Sequence, residues 1–112
     1  ECYTWGGRAL GIGGNSDVPT PQLVPLPDVH VNSVHCGFAH MFIIGDSGAV
    51  VYGWGENSEL QVGVDSTNTH DSPVCLDSLS GVGIIQIEAS DIHSMALTRA
   101  GAVYVWGSSH GT

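Results

Sequence analysis

Hydrophobic residues in this chain come in short runs, each closed by a glycine or a polar turn. Residues 31–36, 39–45 and 49–54 are three such runs, separated by tight breaks at Gly37-Phe38 and Asp46-Ser47-Gly48. Residues 84–89, 92–98 and 102–107 repeat the arrangement. Short runs rich in β-branched and aromatic residues and bounded by glycine predict strands, and nothing within 31–54 or 84–107 has helical periodicity. After each Trp-Gly comes a long polar stretch with a proline and a short apolar patch, Gln22-Leu23-Val24 or Val74-Cys75-Leu76. That patch predicts a fourth strand in each unit.

The runs belong to an internal repeat. Tyr3-Thr4-Trp5-Gly6, Tyr52-Gly53-Trp54-Gly55 and Tyr104-Val105-Trp106-Gly107 are the same word three times, with the tryptophans 49 and 52 residues apart. Pro21 falls in phase with Pro73, His40 with His93, and Gly48 with Gly101. Val34 to Gly48 aligns with Ile87 to Gly101 without a gap. One offset follows, since Tyr52 stands four residues after Gly48 and Tyr104 three after Gly101. An extra residue in one strand of a hairpin reads as a β-bulge. Four short antiparallel strands repeated at about fifty residues make a propeller blade. The fold class is therefore all-β: two four-stranded antiparallel blades, 1–55 and 56–112, of one propeller left incomplete by this chain.

These units resemble the repeat of the regulator of chromosome condensation family. In that family a Trp-Gly strand end leads into a Gly-Gln-Leu-Gly-like loop, then through a Pro to a Gly-x-x-His strand and a turn Gly. Trp54-Gly55-Glu56-Asn57 and Leu60-Gln61-Val62-Gly63 match that loop, with Leu60 in place of the usual Gly. The first unit, Trp5-Gly6-Gly7-Arg8-Ala9-Leu10-Gly11, lacks about three residues of it and its Gln, and Ala89-Ser90 stands where Cys36-Gly37 stands one unit earlier. The resemblance implies a ring of usually seven blades. Two units cannot close one, because a repeat array needs at least about three to bury a continuous core. The missing blades are expected elsewhere in a longer protein or from other chains, and the first residue, Glu1, fits a segment cut from something longer. Two units alone leave β-rich apolar faces uncovered.

Composition narrows the function. Hydrophobic residues are 42% of the 112 and charged residues 12%, with 16 Gly and 5 Pro, which fits a turn-rich all-β chain rather than a disordered tail. Two Lys plus Arg, both Arg, against 11 Asp plus Glu give a net charge of −9. Phosphate backbones are bound by clustered Lys and Arg, so this segment is not expected to bind nucleic acid directly. Its acidic residues either steer a basic protein partner or solvate loops. No run approaches the roughly eighteen apolar residues of a membrane span. Three Cys and the absence of an Asn-x-Ser/Thr sequon fit a reducing, intracellular compartment, cytoplasmic or nuclear.

Several candidate chemistries dissolve on inspection. Gly45-Asp46-Ser47-Gly48 matches the nucleophile motif of trypsin-like proteases, but its counterpart Thr98-Arg99-Ala100-Gly101 has neither Ser nor Asp. A triad also needs an oriented base. The tetrapeptide reads as a turn in which Gly48, like Gly101, supplies a positive φ. His40 and His93 recur once per unit on apolar strands and read as satisfied core histidines. His30, His35, His70 and His110 follow no rule. A metal site at His35, Cys36 and His40 fails because adjacent strand residues point to opposite faces and no Cys-x-x-Cys supports it. Gly11-Ile12-Gly13-Gly14 lacks the Lys-Ser/Thr of a phosphate loop, and residues 65–71 lack calcium-loop spacing. No catalytic residue, cofactor or metal is expected. Trp5, Trp54, Trp106, His40, His93, Gly48 and Gly101 are read as structural repeat positions.

The resemblance extends to two activities. Plant ultraviolet receptors of the family carry Gly-Trp-Arg-His-Thr, where this chain has Gly37-Phe38-Ala39-His40-Met41 and Ser90-Asp91-Ile92-His93-Ser94, so the chromophore and its Arg are missing. The exchange factor of the family inserts a β-wedge that neither unit contains. The function expected is non-catalytic: a propeller module presenting loops to a protein partner. The alternative is guanine nucleotide exchange on a small GTPase.

Overall fold

The computed structural model describes residues 1–6, 11 and 18–108. Nine strands are present among them: β1 (Tyr3–Gly6), β2 (Val18–Leu23), β3 (Val31–Cys36), β4 (His40–Gly45), β5 (Val50–Gly55), β6 (His70–Cys75), β7 (Ile84–Ala89), β8 (His93–Thr98) and β9 (Val103–Gly107). The only helical pieces described are single 3-10 turns at Asp46–Gly48 and Asp77–Leu79. The predicted runs sit within a residue or so of the observed strands, because glycine and polar turns close each of them.

Every strand pairs antiparallel with its chain neighbour within a sheet, as the all-β expectation requires. The distribution of strands is different from two sets of four. Strands β1-β2 form one sheet, β3-β4-β5-β6 a second and β7-β8-β9 a third. The second sheet alone has four strands, and its outer strand β6 comes from beyond the Trp-Gly word: Tyr52 pairs with Cys75 and Gly55 with His70. The division at 55/56 follows the sequence repeat, whereas the sheet runs through it from 31 to 75. The physical reason is chain geometry: β5 ends at one edge of the blade, and the polar stretch 56–69 returns the chain antiparallel beside it.

The predicted bulge is also absent from its place. Strand β4 pairs with β5 in continuous register, from His40 opposite Gly55 to Gly45 opposite Val50. The extra residue is taken up by the turn instead, where Asp46 and Ser47 adopt φ of 51° and 59°. Two side chains hold that turn: the Asn32 Oδ1 accepts from the Ser47 amide at 2.7 Å, and the Asp46 Oδ1 from the His30 amide at 3.0 Å. Register shifts occur elsewhere, between Val31 and Ser33 and, one unit later, between Ile84 and Gln86.

Strand β4 reads His-Met-Phe-Ile-Ile without polar alternation because both of its faces are covered. Phe42 and Ile44 join Val51, Leu76, Leu79, Ile84, Ile87 and Ala96 in a core between the second and third sheets. On the opposite face Ile43 and Trp54 join Cys2 and Val24 against the first sheet. Full burial of each such side chain contributes about 1.5–3 kcal/mol. The flanking sheets end in exposed apolar residues, Tyr3, Trp5 and Leu23 on one side and Val103 and Val105 on the other.

Candidate functional site

Four of the buried polar residues, His40, Asn57, Gln61 and Ser94, belong to one connected clasp. It starts in the loop after β5, which folds around the Asn57 side chain. That amide accepts the Val62 N–H at 2.7 Å and donates to the Val64 carbonyl at 3.1 Å and to the Ser66 carbonyl. Buried amides are costly unless satisfied, so Asn57, with no exposed surface, fixes the loop by meeting its own needs. The result is to aim the Gln61 carbonyl across the gap at the third sheet. Two donors converge on that oxygen: Trp106 Nε1–H at 2.9 Å and Ser94 Oγ–H at 2.8 Å. Ser94 in turn lies 2.8 Å from His40 Nε2 in the second sheet.

The same loop grips the next tryptophan by contact. Gly63, at φ 102°, lies so close to Trp106 that a Cβ there would be 3.0 Å from Nε1. One unit earlier Gly11 lies against Trp54, where a Cβ would be 2.7 Å from Nε1. Each unit's loop thus seats the tryptophan of the following one. Phe42 completes the seat for Trp106, edge-on at 5.8 Å, and takes His40 edge-on at 5.4 Å.

Ser94 and His40 stand at the distance of a nucleophile and its base, yet the proton arrangement rules that chemistry out of this pair. Ser94 spends its only proton on the Gln61 carbonyl, so His40 must donate from Nε2. His40 Nδ1 is then unprotonated, buried and without a partner, with no carboxylate to orient it. Both residues are buried away from any substrate. Burial pushes the His40 pKa down to about 4, with Glu56 opposing the shift and His93 adding to it. The neutral ring is favoured in the folded state, so its contribution is complete above about pH 6.5 and lost as the pH falls from there to about 4. We expect wild type to lose on the order of 2 kcal/mol more than His40→Gln across that window, in denaturant titrations of the full-length protein. Parallel pH profiles for the two would show that His40 does not titrate with folding.

The other repeat positions are placed as follows. Trp54 is fully buried, Trp106 half-buried and Trp5 exposed. His93 opposes Gly107 in β8–β9 as His40 opposes Gly55 in β4–β5. Gly48 and Gly101 close their hairpins at φ 96° and 92°. Ser47 is exposed and removed from any histidine bond; its carbonyl accepts a long 3.4 Å contact from Arg99. His35 bonds Ser33 Oγ at 2.8 Å, and burial lowers its pKa. Cys2, Cys36 and Cys75 are free thiols. Among the described residues no group of three His, Cys, Asp or Glu could hold a metal. No helix among them is long and apolar enough to cross a membrane. Most of Gly11-Ile12-Gly13-Gly14, the Arg8 loop and His110 lie outside the described residues.

The repeating unit itself matches known proteins. The family model for the regulator of chromosome condensation (RCC1) repeat matches residues 1–44 and 49–97, and a second model of that repeat matches 84–111. The chain belongs to the RCC1 repeat family. Human E3 ubiquitin-protein ligase HERC2 is 35% identical over 108 residues, which are 94% of this chain and 2% of HERC2. The ultraviolet-B receptor UVR8 of Arabidopsis thaliana is 35% identical over 112 residues, 96% of this chain and 25% of the receptor. Human WBSCR16 superimposes with a TM-score of 0.79 at 29% identity, over 94% of this chain and 28% of that structure. Prp20p of Saccharomyces cerevisiae, described by its binding to Gsp1p and histones, superimposes at 0.81 with 29% identity, over 94% and 28%. The chain therefore spans at most 28% of any of these relatives, and it is a partial segment of an RCC1 β-propeller.

Within that RCC1 frame, the sequence placed Gln61 in the family loop without its part in the clasp, and it did not single out Ser94. Gln61 acts through its backbone carbonyl, and Ser94 aligns with Met41 of the unit before.

Proposed function

We propose that this chain is part of a non-catalytic RCC1 propeller that presents its rim loops to a protein partner, within a larger intracellular protein. The observation that carries this reading is the division of labour among polar groups. Asn57, Gln61, Ser94 and His40 are buried and committed to joining sheets. The carboxylates Glu56, Glu59, Asp65 and Asp91 are exposed on the loops. The seven repeat positions serve the scaffold in this reading, and the acidic surface disfavours direct nucleic-acid contact by this segment.

Guanine nucleotide exchange is the second reading, favoured by the likeness to Prp20p and its binding to Gsp1p. The two separate in one assay. Small GTPases loaded with a fluorescent GDP analogue are mixed with the full-length protein, and release is followed over time. The interaction-module reading expects release at the spontaneous rate even where a complex is seen by sedimentation. Acceleration of about tenfold or more would replace it with the exchange reading.

A further inference from the structure

Phe38 is the most exposed large hydrophobic side chain among the described residues, at 82%. It sits on the turn between β3 and β4, and backbone bonds fix that turn on two sides. The Phe38 amide donates to the Ser90 carbonyl at 3.3 Å, and the Glu56 amide donates to the Ala39 carbonyl at 2.8 Å. The aromatic ring is thereby held on a turn tied to Glu56 on one side and to the neighbour of Asp91 on the other. Both carboxylate residues are exposed. The strand directions put residues 37–39, 56–69 and 90–92 on the same rim, which carries Glu56, Glu59, Asp65 and Asp91 and, among the described residues, no Lys or Arg. Arg99 lies on the opposite rim, at the turn after β8.

We propose that Phe38, flanked by Glu56 and Asp91, is a docking point for an arginine side chain of a basic protein segment. The assignment rests on the interaction-module reading and names the chemistry of the partner. A guanidinium is planar and weakly hydrated, so it stacks on an aromatic face while its edge N–H groups pair with carboxylates. An ammonium cannot do both in the same pose. A single exposed aromatic tied between acidic positions supplies both halves of that recognition. A second copy of this chain is the poorer occupant. It carries the same net charge of −9, and its only cations are two Arg.

The test uses the full-length protein and a fluorescein-labelled decapeptide of alternating Arg and Gly, with its Lys counterpart, read by anisotropy. The arginine peptide is expected to bind more tightly than the lysine peptide. Phe38→Ala should weaken it by about threefold to fivefold while leaving the unfolding midpoint unchanged. Glu56→Gln combined with Asp91→Asn should weaken it and flatten its salt dependence. Equal binding by wild type and Phe38→Ala, or no arginine-peptide binding, overturns the assignment. If Phe38→Ala instead converts a dimer to a monomer in sedimentation, the face belongs to a second copy and the proposal is wrong. Co-purified partners that survive alongside a failed peptide titration would sink this docking point alone and leave the interaction module standing.

Discussion

Trp54→Ala in the full-length protein should lower the unfolding free energy by about 3–5 kcal/mol, a large part of a typical domain's margin. The indole has no exposed surface, fills the core with Cys2, Val24 and Ile43, and is gripped by the backbone at Gly11. Truncation removes the apolar area and leaves a cavity between two sheets that cannot easily close. Ser47→Ala is the matched control: the side chain is exposed on a turn held by backbone and Asn32 contacts, so its change should stay within about 0.5 kcal/mol. Urea titration of the two variants reads both. A folded, unshifted Trp54→Ala protein would refute the packing account, and loss of a measurable activity in Ser47→Ala would revive the protease motif.

The second large effect is expected at Gly48. Its φ of 96° disfavours any side chain, and a Cβ would lie 2.6 Å from the carbonyl oxygen of Ile84 in the next sheet. Backbone carbonyls do not rotate away, so Gly48→Ala forces the two sheets apart. Conformational strain and overpacking together put the cost at about 2–4 kcal/mol. Gly101 has nearly the same φ, 92°, but nothing within 4 Å of its added Cβ among the described residues. Gly101→Ala should therefore carry the backbone cost alone, about 1–2 kcal/mol. The pair separates conformation from contact at equivalent turns. A Gly48→Ala protein as stable as wild type would mean that the inter-sheet approach is not a constraint, whereas equal large losses at both glycines would place a further sheet against the β8–β9 turn.

Much of the fold was legible in the chain because its punctuation repeats. Tyr-x-Trp-Gly marks the end of one strand and a glycine or a polar turn marks each hairpin, so the boundaries of β3, β4, β5, β7, β8 and β9 followed. Which sheet a strand joins was not legible. The patch Val74-Cys75-Leu76 announces a strand, but only the antiparallel return of residues 56–69 assigns it to the sheet that precedes it. The bulge failed for a related reason: one extra residue looks the same in sequence whether a strand or a turn absorbs it. At the clasp, His40 was visible by its recurrence, while the Gln61 carbonyl leaves no side-chain signature. Phe38 entered the sequence reading only as a missing tryptophan. Its significance depends on exposure and on the two backbone bonds that hold it between acidic neighbours, neither of which a linear pattern records.

The stagger between repeat and sheet has a consequence for how such arrays change length during evolution. Suppose a duplication inserts one sequence period. The new unit's leading segment then enters as the outer strand of an existing sheet, and its remaining strands found the next one. The junction is closed by a ladder of main-chain bonds like that between β5 and β6, which depends little on side-chain identity. Freshly copied units are thus joined before their cores have had time to adapt, and divergence as wide as that between Met41 and Ser94 can accumulate afterwards without unstitching the array.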